Sequence, residues 1–450
     1  MSSPCFLDTC GPLRLAQLVS RFPMITETFV LYELEAMEKL GVTVELYSLL
    51  REHPQVTHPE AERWVRRAHY LPFLSPAILR AHWHFICHDP RRYFRTLAEV
   101  LRGSWGCFRC LCGALAFFPK VVRFAYEMKV QRIHHVHGQF GYHEAVAALV
   151  VHRLTGIPFS FTARGYDVQV DGHMMKEKVG AADFVISVSE HNKQIILRKC
   201  GPSVGKKIHV IHGGVDVDRL TPHPELSGKG PLRILCVARF EEVKGHTYLV
   251  GACRLLKDRG IPFQCRLIGD GPLVPQIERQ IEQSGLSEEV LLLGSQPYDE
   301  VIEDFSRADV VVLATTPTAS GKREGIPNVL KEAMACGVPV VASPSGGIPE
   351  LVDESCGILV RPRDAAAIAG ALQRFYDQPL LRHDMGRAGR EKIVREFNLG
   401  LSTVMRVELF LRSANGCRWR QVAPGRDERN LLLSHDAPPK VNQEVQRCAE

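Results

Sequence analysis

The chain lacks a run of about 18 apolar residues, the length a membrane-spanning helix needs. Residues Met1 to Thr9 lack a basic stretch followed by a long apolar core, which argues against a secretory leader. No Walker loop is present, and no Ser-His-Asp or Cys-His set stands out, so P-loop and covalent-nucleophile chemistry have no support. No repeat with a period of about 20–50 residues is visible, which excludes a solenoid. Fourteen cysteines are present, but most are scattered singly. Cys236, Cys265 and Cys336 sit in apolar or helical contexts and read as reduced core residues of a cytosolic protein. What remains is an ordinary globular composition, 45% hydrophobic and 24% charged over 450 residues, enough for two or three domains.

Charge is unevenly distributed. The net charge is +6, yet residues 61–130 hold twelve Arg or Lys against four Asp or Glu. A basic block of this kind implies an anionic surface or ligand, either membrane lipid or nucleic acid. No nucleic-acid reading module accompanies it, so nucleic acid is not expected as a partner.

Short β-branched runs alternate with longer amphipathic stretches. Leu13–Val19, Val42–Leu49, Arg132–His137, Phe159–Ala163, Phe184–Ser189 and Ile208–His212 read as strands, with helices at Thr26–Leu40 and His143–Leu154. A Pro/His/Ser/Gly linker follows at 221–229. The pattern then repeats with strands at Leu232–Val237, Gln264–Gly269, Val290–Leu293, Val310–Ala314 and Val338–Ala342. Helices are expected at Gly245–Asp258, Leu273–Ser284, Ala365–Phe375 and Met385–Phe397. This is an α/β chain with two doubly wound lobes, whose ligand site is expected in the crevice between them. The boundaries expected are 1–222 for the first lobe, 223–385 for the second, 386–414 for terminal helices and 415–450 for an unstructured tail. Residues 51–130 break the rhythm and read as inserted helices rich in Arg and aromatics. They are either a layer covering the sheet with its arginines in solvent, or an amphipathic surface lying on an anionic membrane.

Two stretches could carry chemistry. In GKREGIPNVLKEAMACG (321–337), Val329, Leu330, Ala333 and Met334 have helical spacing, Pro327 suits the first turn and Gly337 the end. Glu324 precedes the helix and Glu332 lies within it, so two carboxylates flank a positive helix terminus suited to a diphosphate. The plainer alternative is a Glu favoured by the helix dipole and a second Glu facing solvent. In VARFEEVKG (237–245), Arg239 and Lys244 follow a buried strand, where two cations could bind phosphate oxygens. Strand alternation puts His135 and His137 on one face and His134 on the other, and Cys107, Cys110 and Cys112 lack a second ligand pair, so no metal is expected.

Taken in order, these motifs resemble the retaining glycosyltransferases of family 4, which have the two-lobed GT-B fold. The resemblance rests on Glu324-x7-Glu332, ARFEEVKGH, LIGDGP at 267–272 and ACGVPVVASPSGGIPELV at 335–352. In the first lobe it rests on FTARGYDV at 161–168, ADFVISVSE at 182–190 and VIHGGVD at 210–216. SRFPMITETFVLYELEAMEKLGV, VHGQFG and EGIPNVL look like the branch that builds exopolysaccharide or colanic-acid-type repeat units.

The resemblance implies that Glu324 holds donor-sugar hydroxyls, Glu332 the ribose, and Arg239 and Lys244 the diphosphate. Gly325, Ile326, Pro327 and Asn328 would pack on sugar and phosphates, while Gly269, Gly271 and Gln296 would border the base. Residues 22–28, His137 and 162–167 would supply the acceptor side. The donor would be a UDP- or GDP-sugar without a required cofactor. The acceptor would be a lipid-linked glycan, at the inner face of the cytoplasmic membrane. Two departures stand out. Arg164 and Gln139 occupy positions where relatives carry His. An Arg cannot shuttle a proton but can stabilise a leaving phosphate, so Arg164 joins the expected catalytic set. The same departures support an alternative, a catalytically inactive GT-B scaffold that keeps the nucleotide-sugar pocket. An epimerase or phosphorylase on the same fold is a further alternative.

Overall fold

A computed structural model describes residues 12–24, 28–52, 59–169, 172–222, 230–318 and 323–414. The expected tail from 415, most of the linker and part of the 22–28 loop lie outside the described residues.

The first sheet contains β1 (Arg14–Phe22), β2 (Thr43–Arg51), β3 (His69–Tyr70), β4 (His135–Gly138), β5 (Phe159–Ala163), β6 (Phe184–Ser187) and β7 (Ile208–Val210). Its order is β3-β2-β1-β4-β5-β6-β7. The second contains β8 (Leu232–Val237), β9 (Phe263–Ile268), β10 (Val290–Leu292), β11 (Val310–Leu313), β12 (Val340–Ala342) and β13 (Gly357–Leu359), in the order β10-β9-β8-β11-β12-β13. The pairings beside both central strands are parallel. Helices cover both faces of each sheet, so strands such as β5, β6, β11 and β12 are buried along their whole length. Both sheets wind outward from their first strand and reverse beside it, at β1/β4 and at β8/β11. That reversal opens the crevice in which ligands of such sheets bind.

The 51–130 segment is largely helical, as its composition predicts. Its helices are Pro59–Arg67, Pro76–His88, Pro90–Ser104 and Phe108–Val130. Ser75 and Asp89 accept hydrogen bonds from the first-turn amides of Ile78 and Arg92, and each is followed by a proline that starts its helix. One departure is β3, an edge strand paired with Tyr47 and Ser48 and fastened by the His69 ring stacked on Tyr47 at 4.2 Å.

The helices that span 386–414 pack on different lobes. The helix Pro379–Glu396 packs on the second lobe, where Ile393 joins the core around Leu330 and Met334. The chain then crosses back beside the Gly213–Leu220 connection. Val215 N–H donates to Phe397 O at 2.9 Å, and Leu399 N–H donates to Val215 O at 3.0 Å. The final helix, Leu399–Ser413, buries Val407, Phe410 and Leu411 against Leu15, Val30 and Ile186 of the first lobe. Sequence periodicity located these residues as helical but could not say which lobe would receive them.

Candidate active site

β8 ends at Val237 and delivers Arg239 to the loop beyond its carboxyl end. The chain turns through the short 3-10 helix Glu242–Lys244 into the helix His246–Asp258. Phe240 N–H donates to Asp270 O at 3.0 Å and Leu273 N–H to Phe240 O at 3.1 Å, so the LIGDGP turn lies against the Arg239 loop. Gly269 (φ +137°) and Gly271 (φ +157°) allow this contact: a Cβ on either would lie 2.2 Å from Ala238 O or 2.6 Å from Phe240 O.

Glu324 and Lys244 meet across this crevice. Lys244 Nζ donates to Glu324 Oε2 at 2.6 Å, and both side chains are about one-fifth exposed (20% and 19%). Arg239, 60% exposed, pairs with its neighbour Glu241 at 3.0 Å, its one ion pair among the described residues, and keeps its guanidinium at the surface of the crevice. The Glu324–Gly325 backbone is held by the 343–347 turn. Gly347 N–H donates to Gly325 O at 3.1 Å, and Gly346 (φ +58°) has no room for a side chain, because a Cβ would fall 1.7 Å from Glu324 O. The helix Asn328–Ala335 follows, with Pro327 as its extended cap residue and not inside the first turn as the sequence suggested. Gly337 (φ +75°) lies just past its end, as expected.

Glu332, on that helix, accepts a hydrogen bond from Tyr298 Oη at 3.2 Å. Burial raises its carboxyl above the usual carboxylate range, against the opposing pull of Lys331 and Tyr298. Next to Tyr298, the side-chain oxygen of Gln296 is buried without a hydrogen-bond partner among the described residues. Arg219 lies between the lobes: its guanidinium is 5.0 Å from the Tyr298 ring, and it donates to Tyr32 Oη at 3.1 Å. Lys331, buried beside Glu332, donates to Gly213 O at 2.5 Å, and burial lowers its ammonium to about 8.

The first lobe contributes the turn after β5. Asp167 Oδ1 and Oδ2 accept from the amides of Gly165 (2.7 Å), Gly141 (2.7 Å) and Arg164 (3.2 Å), which shapes the turn. The Arg164 backbone carbonyl faces Gly325 of the second lobe, 3.1 Å from where a Cβ would stand. Its guanidinium turns the other way. It donates to Glu33 Oε2 (2.8 Å), Gln139 Oε1 (2.6 Å) and Gln139 O (3.0 Å), and lies 4.4 Å from the Phe29 ring. The two departures from the family pattern, Gln139 and Arg164, are therefore bonded to each other. Arg164 was expected to stabilise a leaving phosphate with its side chain; in this arrangement that charge is matched by buried Glu33. Arg406, from the returning C-terminal helix, pairs with Glu33 from the other side at 3.2 Å.

His137 was expected on the acceptor side but is buried. It bonds Ser160 Oγ (2.8 Å) and Thr162 Oγ1 (2.9 Å) and packs on Phe410. His135 shares Ser160 at 2.7 Å, and burial drops its imidazole to about 3, so it is neutral and structural. Asp216 begins a D-x-D string with Asp218 and caps the amides of Asp218 and Arg219. A G-x-S-x-G string does occur at 201–205, but it opens the 3-10 helix Pro202–Lys207 directly after another helix. A nucleophile elbow follows a strand.

Sequence reasoning missed Glu350, which ties the lobes together. Its carboxylate accepts from the amides of Glu190 (2.7 Å) and His191 (2.9 Å) at a first-lobe helix terminus, and it contacts His212 Nε2 at 3.2 Å. It lay inside the quoted GGIPELV motif, but nothing local marks a carboxylate whose partners lie about 140–160 residues away. Glu33 and Arg406 were missed for the same reason.

Comparison with known proteins agrees with this architecture. Residues 26–219 match the model for Glycosyltransferase Family 4 and residues 220–392 that for Glycosyl transferases group 1. The chain belongs to the family 4 glycosyltransferases. Its fold is GT-B: a Rickettsia africae glycosyltransferase superposes with a TM-score of 0.67 at 18% identity, over 90% of this chain and 99% of that one. The Anabaena protein HepE in complex with UDP superposes with a TM-score of 0.66 at 15% identity, over 88% and 98%. In sequence, this family 4 chain is 41% identical over 196 residues to the putative colanic acid biosynthesis glycosyltransferase WcaL of Escherichia coli. It is 36% identical over 210 residues to the amylovoran biosynthesis glycosyltransferase AmsK of Erwinia amylovora. These matches cover 43% and 46% of this chain, and the chain spans about half the length of those relatives, 48% and 52%.

Proposed function

We propose that the chain transfers a hexose, with retention of configuration, from a nucleotide diphosphate sugar to a lipid-linked exopolysaccharide repeat unit at the inner face of the cytoplasmic membrane. The observation that carries this reading is the Lys244–Glu324 contact at 2.6 Å beside Arg239, opposite the Arg164 carbonyl. It puts two cations and a carboxylate at the reversal point of the second sheet. The relatives named for colanic acid and amylovoran biosynthesis support the class of product.

In this mechanism a diphosphate oxygen takes over Lys244 Nζ, which frees Glu324 to accept from sugar hydroxyls. Arg239 forks onto the diphosphate, and Glu332 accepts from the ribose in place of Tyr298. Gly325 to Asn328 pack on sugar and phosphates, and Gly269, Gly271 and Gln296 border the base. The acceptor hydroxyl attacks on the face that the nucleotide leaves, and the departing diphosphate oxygen takes its proton. The protein then contributes orientation and charge stabilisation and needs no strong base. The inactive-scaffold alternative rested on Arg164 and Gln139. Their mutual bonds and the Glu33 pair give both residues a structural task in the first lobe, without disturbing the Lys244–Glu324 site.

Calorimetric titration with UDP- and GDP-sugars tests the pocket. Glu332→Gln is expected to weaken nucleotide-sugar binding about tenfold, the worth of one charge-assisted hydrogen bond. Because burial raises the Glu332 carboxyl, wild-type affinity should also fall on mild acidification while that of the Gln variant stays flat. Unchanged affinity in the variant would show that Glu332 does not hold the ribose.

A further inference from the structure

The basic 61–130 block divides into two parts. Arg63 and Arg67 pair with Glu38, Arg66 with Glu62 and Arg123 with Glu127. The middle of the block differs. Arg80, Arg91, Arg92, Arg95, Arg102 and Arg109 are all exposed, and no ion pair to any of them occurs among the described residues. The two acids in that span are engaged within the fold: Asp89 caps its helix, and Glu99 takes Arg153 in a bidentate pair.

Exposed apolar side chains collect in the same place. Eight of the thirteen large hydrophobic residues exposed in the described structure lie between Phe73 and Leu115. Among the most exposed, Trp105 at 81% and Phe108 at 84% flank the turn joining Pro90–Ser104 to Phe108–Val130. Phe108, Cys112 and Leu115 recur at i, i+4 and i+7, a single helix stripe opposite the buried Cys110 and Ala114. On the preceding helix Arg91, Arg95 and Arg102 form a stripe opposite the buried Tyr93, Val100 and Ser104. Contiguous exposed apolar surface marks an interaction site, and bare arginines around it select an anionic partner.

We infer that the Trp105–Leu115 tip and the Arg91/Arg95/Arg102 stripe lie on an anionic phospholipid bilayer, and that this docking holds the acceptor side of the active site at the lipid surface. The second part rests on the proposed function and on how the tip is anchored. Ser104 Oγ contacts His173 Nε2 at 3.1 Å, Cys110 Sγ contacts Tyr142 Oη at 3.9 Å, and the Phe117 and His143 rings are 5.3 Å apart. Gly141, next to Tyr142, donates to Asp167, which shapes the turn whose carbonyl faces Gly325. A continuous path of contacts thus joins the tip to the crevice. A lipid-linked glycan held in the bilayer would reach the site along this side. Among the described residues no helix is long and apolar enough to cross a membrane.

The test is co-sedimentation of the full chain with vesicles of phosphatidylglycerol and phosphatidylcholine, or of phosphatidylcholine alone. Wild type is expected to bind the anionic vesicles and not the neutral ones, and to release as salt rises. Arg91→Glu/Arg95→Glu/Arg102→Glu should weaken binding roughly a hundredfold. Trp105→Ser/Phe108→Ser/Leu115→Ser should weaken it at least tenfold and leave the salt dependence in place. Lipids brominated in the acyl chain should quench wild-type tryptophan emission but not that of Trp105→Phe. Equal binding to both vesicles, or variants that bind like wild type, would overturn the inference. So would a self-associated wild type that the apolar variant converts to monomer, because the patch would then be a protein interface. Nucleotide-sugar affinity of these variants should match wild type. If wild type docks as predicted but transfers no sugar, the function reading fails while the docking surface stands.

Discussion

Replacing Arg239 and Lys244 together by alanine is expected to lower sugar transfer by about four orders of magnitude. Lys244 is the cation nearest Glu324, at 2.6 Å, and Arg239 leads the same loop with its guanidinium 60% exposed. In a retaining transfer without a protein base, the departing diphosphate carries the developing charge and receives the acceptor's proton. Removing one preorganised donor from such a charge costs roughly a hundredfold to a thousandfold, and here two are removed. The fold should survive, because the Arg239–Glu241 contact is a surface pair contributing at most about 1 kcal/mol. The measurement is turnover with the nucleotide sugar identified by calorimetry, alongside thermal melting. A variant that keeps its melting temperature and turns over within a few fold of wild type would remove both residues from the mechanism.

The largest stability effect is expected in the first lobe. Glu33→Ala should destabilise the protein by about 3–5 kcal/mol, read from the shift in its urea midpoint. Glu33 is 2% exposed and faces two cations, Arg406 at 1% and Arg164 at 12%. Without the carboxylate both guanidiniums remain in place with their charge unmatched. Burial by itself pushes the Glu33 carboxyl up, but Arg164 and Arg406 outweigh burial and leave it below its ordinary value of 4.5. A lowered carboxylate contributes stability above that ordinary value and loses it as the pH falls through the folded-state value. The wild type should therefore lose part of its margin over Glu33→Ala below about pH 4.5, and the two should converge in acid. A midpoint shift worth less than about 1 kcal/mol at neutral pH would show that the cluster relaxes or hydrates when the carboxylate is removed. Arg406→Met and Arg164→Met combined with Glu33→Leu, an apolar replacement of the whole triad, should recover much of the loss.

Much of this molecule was legible in one dimension because its signals are local. Strands buried on both faces must be short and apolar, so Phe159–Ala163, Leu232–Val237 and Val310–Leu313 stand out as such. Helices announce themselves by period and caps, and Gly337 ended one as expected. Arg239, Lys244 and Glu324 read as candidates because each lies just beyond a strand end or before a helix start, and Glu332, inside that helix, because of its spacing from Glu324.

Tertiary structure decided everything that depends on distant partners. Arg164 reads as a charge aimed at phosphate, yet folding brings it to Glu33 and Gln139, 131 and 25 residues away in the chain. His137 of β4 reads as an acceptor contact, and packing under Phe410 makes it, with His135, a neutral core residue. The last helix belongs to the first lobe because Arg406 and Phe410 find a counter-charge and an apolar face there. Arginines 63, 66, 67 and 123 look no different in sequence from arginines 91, 95 and 102. Only the fold shows that the first four have carboxylates beside them and the last three have none among the described residues. Periodicity and propensity act over a few residues, whereas the matching of buried charge and the exposure of a surface stripe depend on which segments meet in space.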